Sequence, residues 1–498
     1  MSVVSLTKIF ENSSSLDPIL KKIEQATKLS SLVLAALCLA HALAVMIIES
    51  ELGRRAKEPT QWPACPACGA RIESKGFESR SLMTLVGLVG WKRRVGRCTK
   101  KGCNSRQVVP FDDVLGIEPY QQTSNELKRV SCALAVFVTF EVAEKLLAMI
   151  SAIMVSPGSI RNWVQEAGSK AMERVQEQLL KLEQGEELCE DSLDEALALL
   201  PLIMGADGVK APFRPNGGSP EGKTVYREVN IGIFARLAKR INRKGEEVTC
   251  LKNRRLVAVL GCNQMLGARM LIEAVRQGML TAKTVVWISD GGPGLWTVYR
   301  QRFARYATAI LDFYHAAQNI WKAAEACLGG STDEARKWFG EARHMLRHGK
   351  PDDLLKDIKE AMKIKDLSDA ERHALSNLYE YLDKHRGHID YSRFKKLGLP
   401  LGSGMVESAC KWLIQQRFKG TGMRWSEEGF NHLLHLRLAW VNSSFDDLWP
   451  GAVWSPEPLT TPWAQCENCE FKQFMSRNYK PKNDPLFDKN RFIEWDDE

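Results

Sequence analysis

Three acids stand where a chain could use them for chemistry. Asp207 follows the apolar run 199–204 in Gly205-Ala206-Asp207-Gly208, and Asp290 follows the run 284–289 and precedes Gly291-Gly292. Glu407 opens a helical pattern in Gly402-Ser403-Gly404-Met405-Val406-Glu407, with Ser403 as N-cap and Val406, Cys410, Leu413 and Ile414 as its buried stripe. A carboxylate at the end of a buried strand is held rigidly yet reaches solvent. Carboxylates that converge can bridge two divalent cations about 3.5–4 Å apart, one activating an attacking oxygen and the other stabilising the leaving oxygen. Mg²⁺ (or Mn²⁺) suits such oxygen donors and those of phosphate. Each acid also has a plainer reading. Asp-Gly after a strand is often a turn, and Glu407 with Lys411 is an i,i+4 pair worth tenths of a kcal/mol.

The elements that must position these acids can be read from periodicity. Alternation at 226–237 and the run 255–261 predict two strands after the one ending near Asp207. A helix over 264–278, the strand 284–289, a helix near 295–303 and a strand 308–311 follow. Three strands, helix, strand, helix, strand is the order of the ribonuclease-H-like α/β fold, in which the first and fourth strands are neighbours. That order would set Asp207 beside Asp290. Residues 331–395 are charged and helical without strand signal, and 402–442 add one or two helices. Lys411, Arg417, Lys419 and Arg424 line the Glu407 segment and could hold a DNA backbone.

Upstream, Cys65-Pro66-Ala67-Cys68-Gly69 is a tight thiolate knuckle, and Cys98 and Cys103 form a second, looser pair. Short strand-like runs with Gly87 and Gly90 lie between them. The four thiols predict one structural Zn²⁺ in a ribbon, against the alternative of scattered core thiols. The insert carries Lys92, Arg93, Arg94, Arg97, Lys100 and Lys101, with Arg93 and Arg94 as DNA-contact candidates and a solvated charge run as the alternative. Cys466 and Cys469 form a lone pair with no assigned role. Helical patterns at 140–150 and from Pro157, with Ser156 as N-cap, predict a helix-turn-helix. Its second helix would bury Ile160, Trp163 and Val164 and offer Arg161 and Asn162 to DNA; a packing hairpin is the plain alternative.

Composition bounds the rest. The 498 residues are 44% hydrophobic and 26% charged with a formal net charge of +9, which implies packed domains and favours an anionic partner. No signal-peptide pattern opens the sequence, so the 13 cysteines read as thiols of a reducing cytosol. The apolar stretch 31–48 just reaches the length of a membrane span; its alanines, His41 and the following Glu49 and Glu51 favour a buried or partner-facing helix.

Four segments together resemble an insertion-sequence transposase family of the Kra type, in the Asp-Asp-Glu group related to Mutator-like elements. They are ADGVKAPFRPNGGSPEGKTVYREVNIGI at 206–233, SDGGPGLW at 289–296, LDFYHAAQNIW at 311–321 and GSGMVESACKWLIQQRFKGTGMRWS at 402–426. The last is the most specific, and the resemblance spans residues 60–445. It implies that Asp207, Asp290 and Glu407 are the metal-binding catalytic triad. It also implies that Asp312 and His315 are the supporting Asp-x-x-His element, and that 331–400 is an all-α insertion.

The expected architecture is a multidomain α+β chain. It comprises an N-terminal helical region (1–58), a zinc ribbon (60–120) and a helical DNA-binding region (121–195). A catalytic core (199–330), an all-α insertion (331–400), the Glu helix (401–445) and a tail (446–498) follow. The expected activity is metal-dependent DNA cleavage and strand transfer on double-stranded DNA, at an element's terminal inverted repeats and its target. The expected setting is a cytoplasmic, nucleoid-associated bacterial homo-oligomer without a membrane partner. A nuclease on branched DNA, or a zinc-ribbon DNA-binding protein without catalysis, are the alternatives.

Overall fold

The computed structural model describes residues 16–452, apart from 106, 152, 216–220, 243, 244, 331 and 365. Cys466 and Cys469 lie outside the described residues. The chain divides into two compact units: described residues 16–167 with 446–452, and residues 168–445.

The first unit begins with α1 (Asp17–Glu24) and α2 (Leu29–Arg55), followed by the antiparallel hairpin β1 (Ile72–Thr84) and β2 (Gly87–Cys98). Leu82, Val89 and Trp91 form a small apolar cluster on the hairpin, with Val45 and Leu52 of α2 against it. A Cβ at Gly87 would lie 3.0 Å from Val45, and Glu49 accepts a hydrogen bond from the Gly90 amide at 2.7 Å. The second half of α2 is thus anchored on β2. The first half is not: Leu29, Val33 and Leu34 are exposed, and Ala35 is the buried residue of the helix. Of the expectation of a buried or partner-facing helix at 31–48, burial within the chain is corrected, because the hairpin is too small to cover 27 helical residues. Among the described residues this is the one helix long and apolar enough to cross a membrane.

Helices α3 (Pro110–Val114), α4 (Asn125–Phe137), α5 (Phe140–Ser151) and α6 (Pro157–Glu183) follow. Ser156 caps α6 through its hydroxyl, which accepts from the Ser159 amide at 3.1 Å. Ile160 and Val164 are buried as the pattern predicts, while Trp163 is half-buried. At 27 residues α6 continues well past a recognition helix, and the division between units falls within it.

The second unit opens with the short α7 (Glu195–Ala198) and is built on β3 (Leu202–Phe213), β4 (Val225–Ile241), β5 (Glu247–Leu260), β6 (Val285–Ser289) and β7 (Thr308–Leu311), in the spatial order β5-β4-β3-β6-β7. The first three strands are antiparallel; β3 with β6 and β6 with β7 are parallel. Every residue of β6 is buried, as its continuous apolar run requires of a central parallel strand. Helix α8 (Asn263–Arg276) connects β5 to β6, and α9 (Pro293–Val298) with the π-turn Tyr299–Phe303 connects β6 to β7. Then come α10 (Phe313–Leu328), the helical segment expected as an insertion, α11 (Asp333–Arg347), α12 (Pro351–Ala361), α13 (Asp369–Lys384) and α14 (Tyr391–Lys396), and finally α15 (Gly404–Cys410), α16 (Gln416–Phe418) and α17 (Glu427–Val441). Leu346, Leu354, Leu355, Ile358, Leu375 and Leu382 of the insertion belong to the same apolar core as the sheet.

The edge strand β5 is closed by one side chain. Asn442, after α17, accepts from the Leu256 amide and donates to the Leu256 carbonyl, both at 2.8 Å. The amide thus stands in for a neighbouring strand and blunts an edge that could otherwise pair with another chain.

Candidate active site

Asp207 does not end its strand. The apolar run stops at Met204, but β3 continues to Phe213 because β4 pairs with it over the full length. The parallel pairing with β6 ends at Ala206 opposite Ser289. Asp207 and Asp290 are therefore the next residues on two neighbouring strands, at the point where their ladder stops. The Asp207 carboxylate accepts from the Gly208 amide at 2.7 Å and that of Asp290 from the Gly292 amide at 2.9 Å. The Asp290 carbonyl receives the Trp296 indole N–H at 2.5 Å, which ties the turn to α9.

Glu407 lies on α15, which packs against β3. A Cβ at Gly205 would lie 2.6 Å from Val406 Cγ2 and 2.8 Å from the Ile288 carbonyl oxygen. The missing side chain lets the first turn of α15 lie directly on β3, two residues from Asp207. Farther along the helix, the buried Cys410 Sγ is 3.9 Å from Asp207 Oδ2. Burial pushes the Asp207 carboxyl up to about 6, and the charges of Asp290 and Glu407 act in the same direction, against His315. The three acids thus share one electrostatic field. Asp207 and Asp290 are half-buried and Glu407 is exposed.

Asp312 is the buried anchor of the site. It caps α10, with Oδ1 accepting from the amides of Tyr314 at 2.6 Å and His315 at 2.9 Å. Its Oδ2 accepts from the Ser403 amide at 2.5 Å and from the Ser403 hydroxyl. The Phe313 amide also donates to the Leu401 carbonyl at 2.9 Å. Burial opposes ionisation of Asp312, but the bonds from His315 and Ser403 win and hold it at about 2. The His315 imidazole, 3.5 Å from Asp312, has its pKa raised chiefly by that carboxylate.

The insertion also touches the site. A Cβ at Gly291 would meet the Tyr381 ring of α13 at 2.1 Å, so this glycine is the gap into which the insertion packs beside Asp290.

In the first unit, Cys65, Cys68, Cys98 and Cys103 bring their sulfurs within 4.8 Å of one another. Tetrahedral zinc–thiolate bonds of about 2.3 Å set sulfurs about 3.8 Å apart; Cys65–Cys103 and Cys68–Cys98 are 3.7 and 3.5 Å apart. The donor set and its spacing fit Zn²⁺. Among the described residues this is the one such group of His, Cys, Asp or Glu drawn together tightly enough to close on a metal. The three acids share a field but form no such closed set.

The DNA-contact candidates separate by burial. Arg161, Asn162, Lys411, Lys419 and Arg424 are exposed, and Arg94 is half-buried over the Phe77 ring at 5.0 Å. Two are corrected. Arg93 is 8% exposed and paired with Asp112 at 2.8 Å, where it fastens α3 to β2. Arg417 is 2% exposed beneath the Trp425 ring. Both side chains are held inside their units. The sequence reading also missed Gly205 and Tyr381. A glycine inside a strand pattern was the available signal for Gly205; Tyr381 had none.

No family model matches the chain, and no curated protein matches it. Among solved structures it is similar to the Drosophila P element transposase strand transfer complex, at 11% sequence identity over 65% of this chain and 93% of that one, with a TM-score of 0.32.

Proposed function

We propose that the chain is a transposase of the Asp-Asp-Glu class, with Asp207, Asp290 and Glu407 as its catalytic acids on a ribonuclease-H-like core. The observation that carries this reading is the placement of Asp207 and Asp290 just past the last paired positions of the neighbouring strands β3 and β6, with α15, the helix of Glu407, packed on β3 at Gly205. The strand order β5-β4-β3-β6-β7, with one antiparallel half and one parallel half, agrees with such a core. The donors are all oxygens, and a cation would offset both the burial that chiefly raises Asp207 and the lesser push of Asp290 and Glu407, so the site fits Mg²⁺ or Mn²⁺. Such ions, held by the three acids, would supply Lewis-acid stabilisation of the attacking and leaving oxygens of a phosphodiester.

The chain's own residues position these groups. Asp312 and Ser403 lock the first turn of α15, and Gly205 sets how closely it approaches β3. His315 stands beside Asp312, which favours its proton. The four-cysteine ribbon and α5–α6 are proposed to read the element's ends, with double-stranded DNA as substrate and a homo-oligomer pairing two ends.

The test is excision and joining, in cells, of a marker flanked by the element's own ends. Wild type is compared with Asp207→Ala, Asp290→Ala and Glu407→Gln. Loss of joining in all three variants, with end binding retained, supports the triad; activity retained in any of them removes that residue from it.

A further inference from the structure

We propose that the cationic groove between α11 and α14 of the insertion binds the phosphate backbone of DNA engaged at the acidic site. The inference rests on the transposase reading and adds a surface to it. The groove encloses a cavity of about 320 Å³ lined by Arg347, His348, Ser392, Lys395 and Lys396. Its floor closes where the turn after α11 meets α14, since a Cβ at Gly349 would lie 2.9 Å from Ser392 Cβ. Arg347, Lys395 and Lys396 are exposed, and among the described residues none of the three has an ion-pair partner. The five residues that line the cavity include three cations and no carboxylate; Asp390, near the floor, has Oδ1 accepting from the Arg393 amide. Helix surfaces usually intersperse opposite charges, and a hollow of one sign focuses the field on an anion.

The groove has a direction. Arg343 and Arg347 both lie over the Phe313 ring, at 5.7 and 5.9 Å. Phe313 follows Asp312, and Tyr314 beside it is exposed. The cations thus begin at the turn that fastens the Glu407 helix and extend away from it along α14. A duplex whose scissile phosphate lies at the acids would be long enough to reach them, and arginine and lysine neutralise backbone phosphates without reading bases.

The test measures binding of the full chain to a labelled 40-base-pair duplex across a salt series. Arg347→Gln/Lys395→Gln/Lys396→Gln is compared with wild type and with a charge-matched control, Lys239→Gln/Arg240→Gln/Lys283→Gln. Melting temperatures of all three confirm folding. Each lost phosphate contact lowers the log–log salt slope by about 0.9, so the groove variant should lose about 2–3 in slope and at least tenfold in affinity near 0.15 M salt. The control should change little. A groove variant no weaker than the control overturns the proposal. If wild type and groove variant cleave and join DNA equally well, the groove falls and the transposase reading stands. If wild type binds no duplex, both fall together.

Discussion

Asp312 and Ser403, 91 residues apart, share a buried carboxylate oxygen that accepts both the backbone amide and the hydroxyl of the serine. This junction closes the insertion into a loop whose two ends are fixed at the same point. The Glu407 helix therefore starts from a position set by β7 rather than by the flexible length of chain before it. A carboxylate this buried and this well supplied with donors contributes to stability through its ionised form.

Asp312→Asn tests that junction. Asp312 sits at about 2 in the fold against an ordinary value near 3.8, so its contribution is present above about pH 4 and is lost as pH falls through about 2. At pH 7 the substitution should cost on the order of 2 kcal/mol and displace α15. Thermal melts of both proteins between pH 2 and pH 8 should converge at the acid end. Parallel melting curves at every pH would show that the ionised junction contributes nothing.

Asp207 carries the opposite sign. Its pKa rises from an ordinary value of 3.8 to about 6, so ionising it destabilises the fold, a penalty that is absent below about pH 4 and fully developed above about pH 6. In metal-free protein, Asp207→Asn should raise the melting temperature at pH 8, by an amount equivalent to about 2 kcal/mol once partial exposure of the carboxylate is allowed for, and change little at pH 4. The same variant should lose the stabilisation that Mg²⁺ gives wild type. A destabilised Asp207→Asn at pH 8 would show that burial and neighbouring charge do not govern this carboxyl.

The neighbouring positions of Asp207 and Asp290 were legible because the order of apolar runs sets the first and fourth strands side by side. The boundary of β3 was not: Val209, Ala211 and Phe213 are buried by pairing with β4 and packing on later helices, contacts that no local pattern announces. The four cysteines were legible from spacing alone, yet Arg93 was misread within the same segment. Its charge suggested DNA, and only the fold reveals Asp112 at 2.8 Å. Arg417 failed in the same way, since a long side chain buried under an aromatic ring looks, in sequence, like any surface cation. Periodicity also placed helices in 331–395 without revealing that Tyr381 reaches Gly291, because that contact joins residues 90 positions apart.

The ribbon prediction concerns metal content. Purified chain should hold one Zn²⁺, and Cys98→Ser should release it and loosen β1–β2, whose register begins at Ile72 and Cys98. Elemental analysis with amide exchange on the hairpin checks both. A zinc-free wild type with a protected hairpin would make the four thiols ordinary packing.

Gly205→Ala asks whether close approach of the Glu helix is needed for activity. The new methyl would stand 2.8 Å from the Ile288 carbonyl oxygen, which belongs to the neighbouring interior strand β6 and cannot swing aside, and 2.6 Å from Val406. The movable partner is α15, so the strain should lift Glu407 away from Asp207 at a cost of about 1–3 kcal/mol. Joining activity should fall at least a hundredfold while DNA binding and the four-cysteine ribbon remain intact, since neither depends on that contact. Pairing the change with Val406→Ala removes the methyl it strikes and should restore part of the activity. A single variant with wild-type joining would mean that α15 tolerates displacement, and that Glu407 is not held at a required distance from the aspartates.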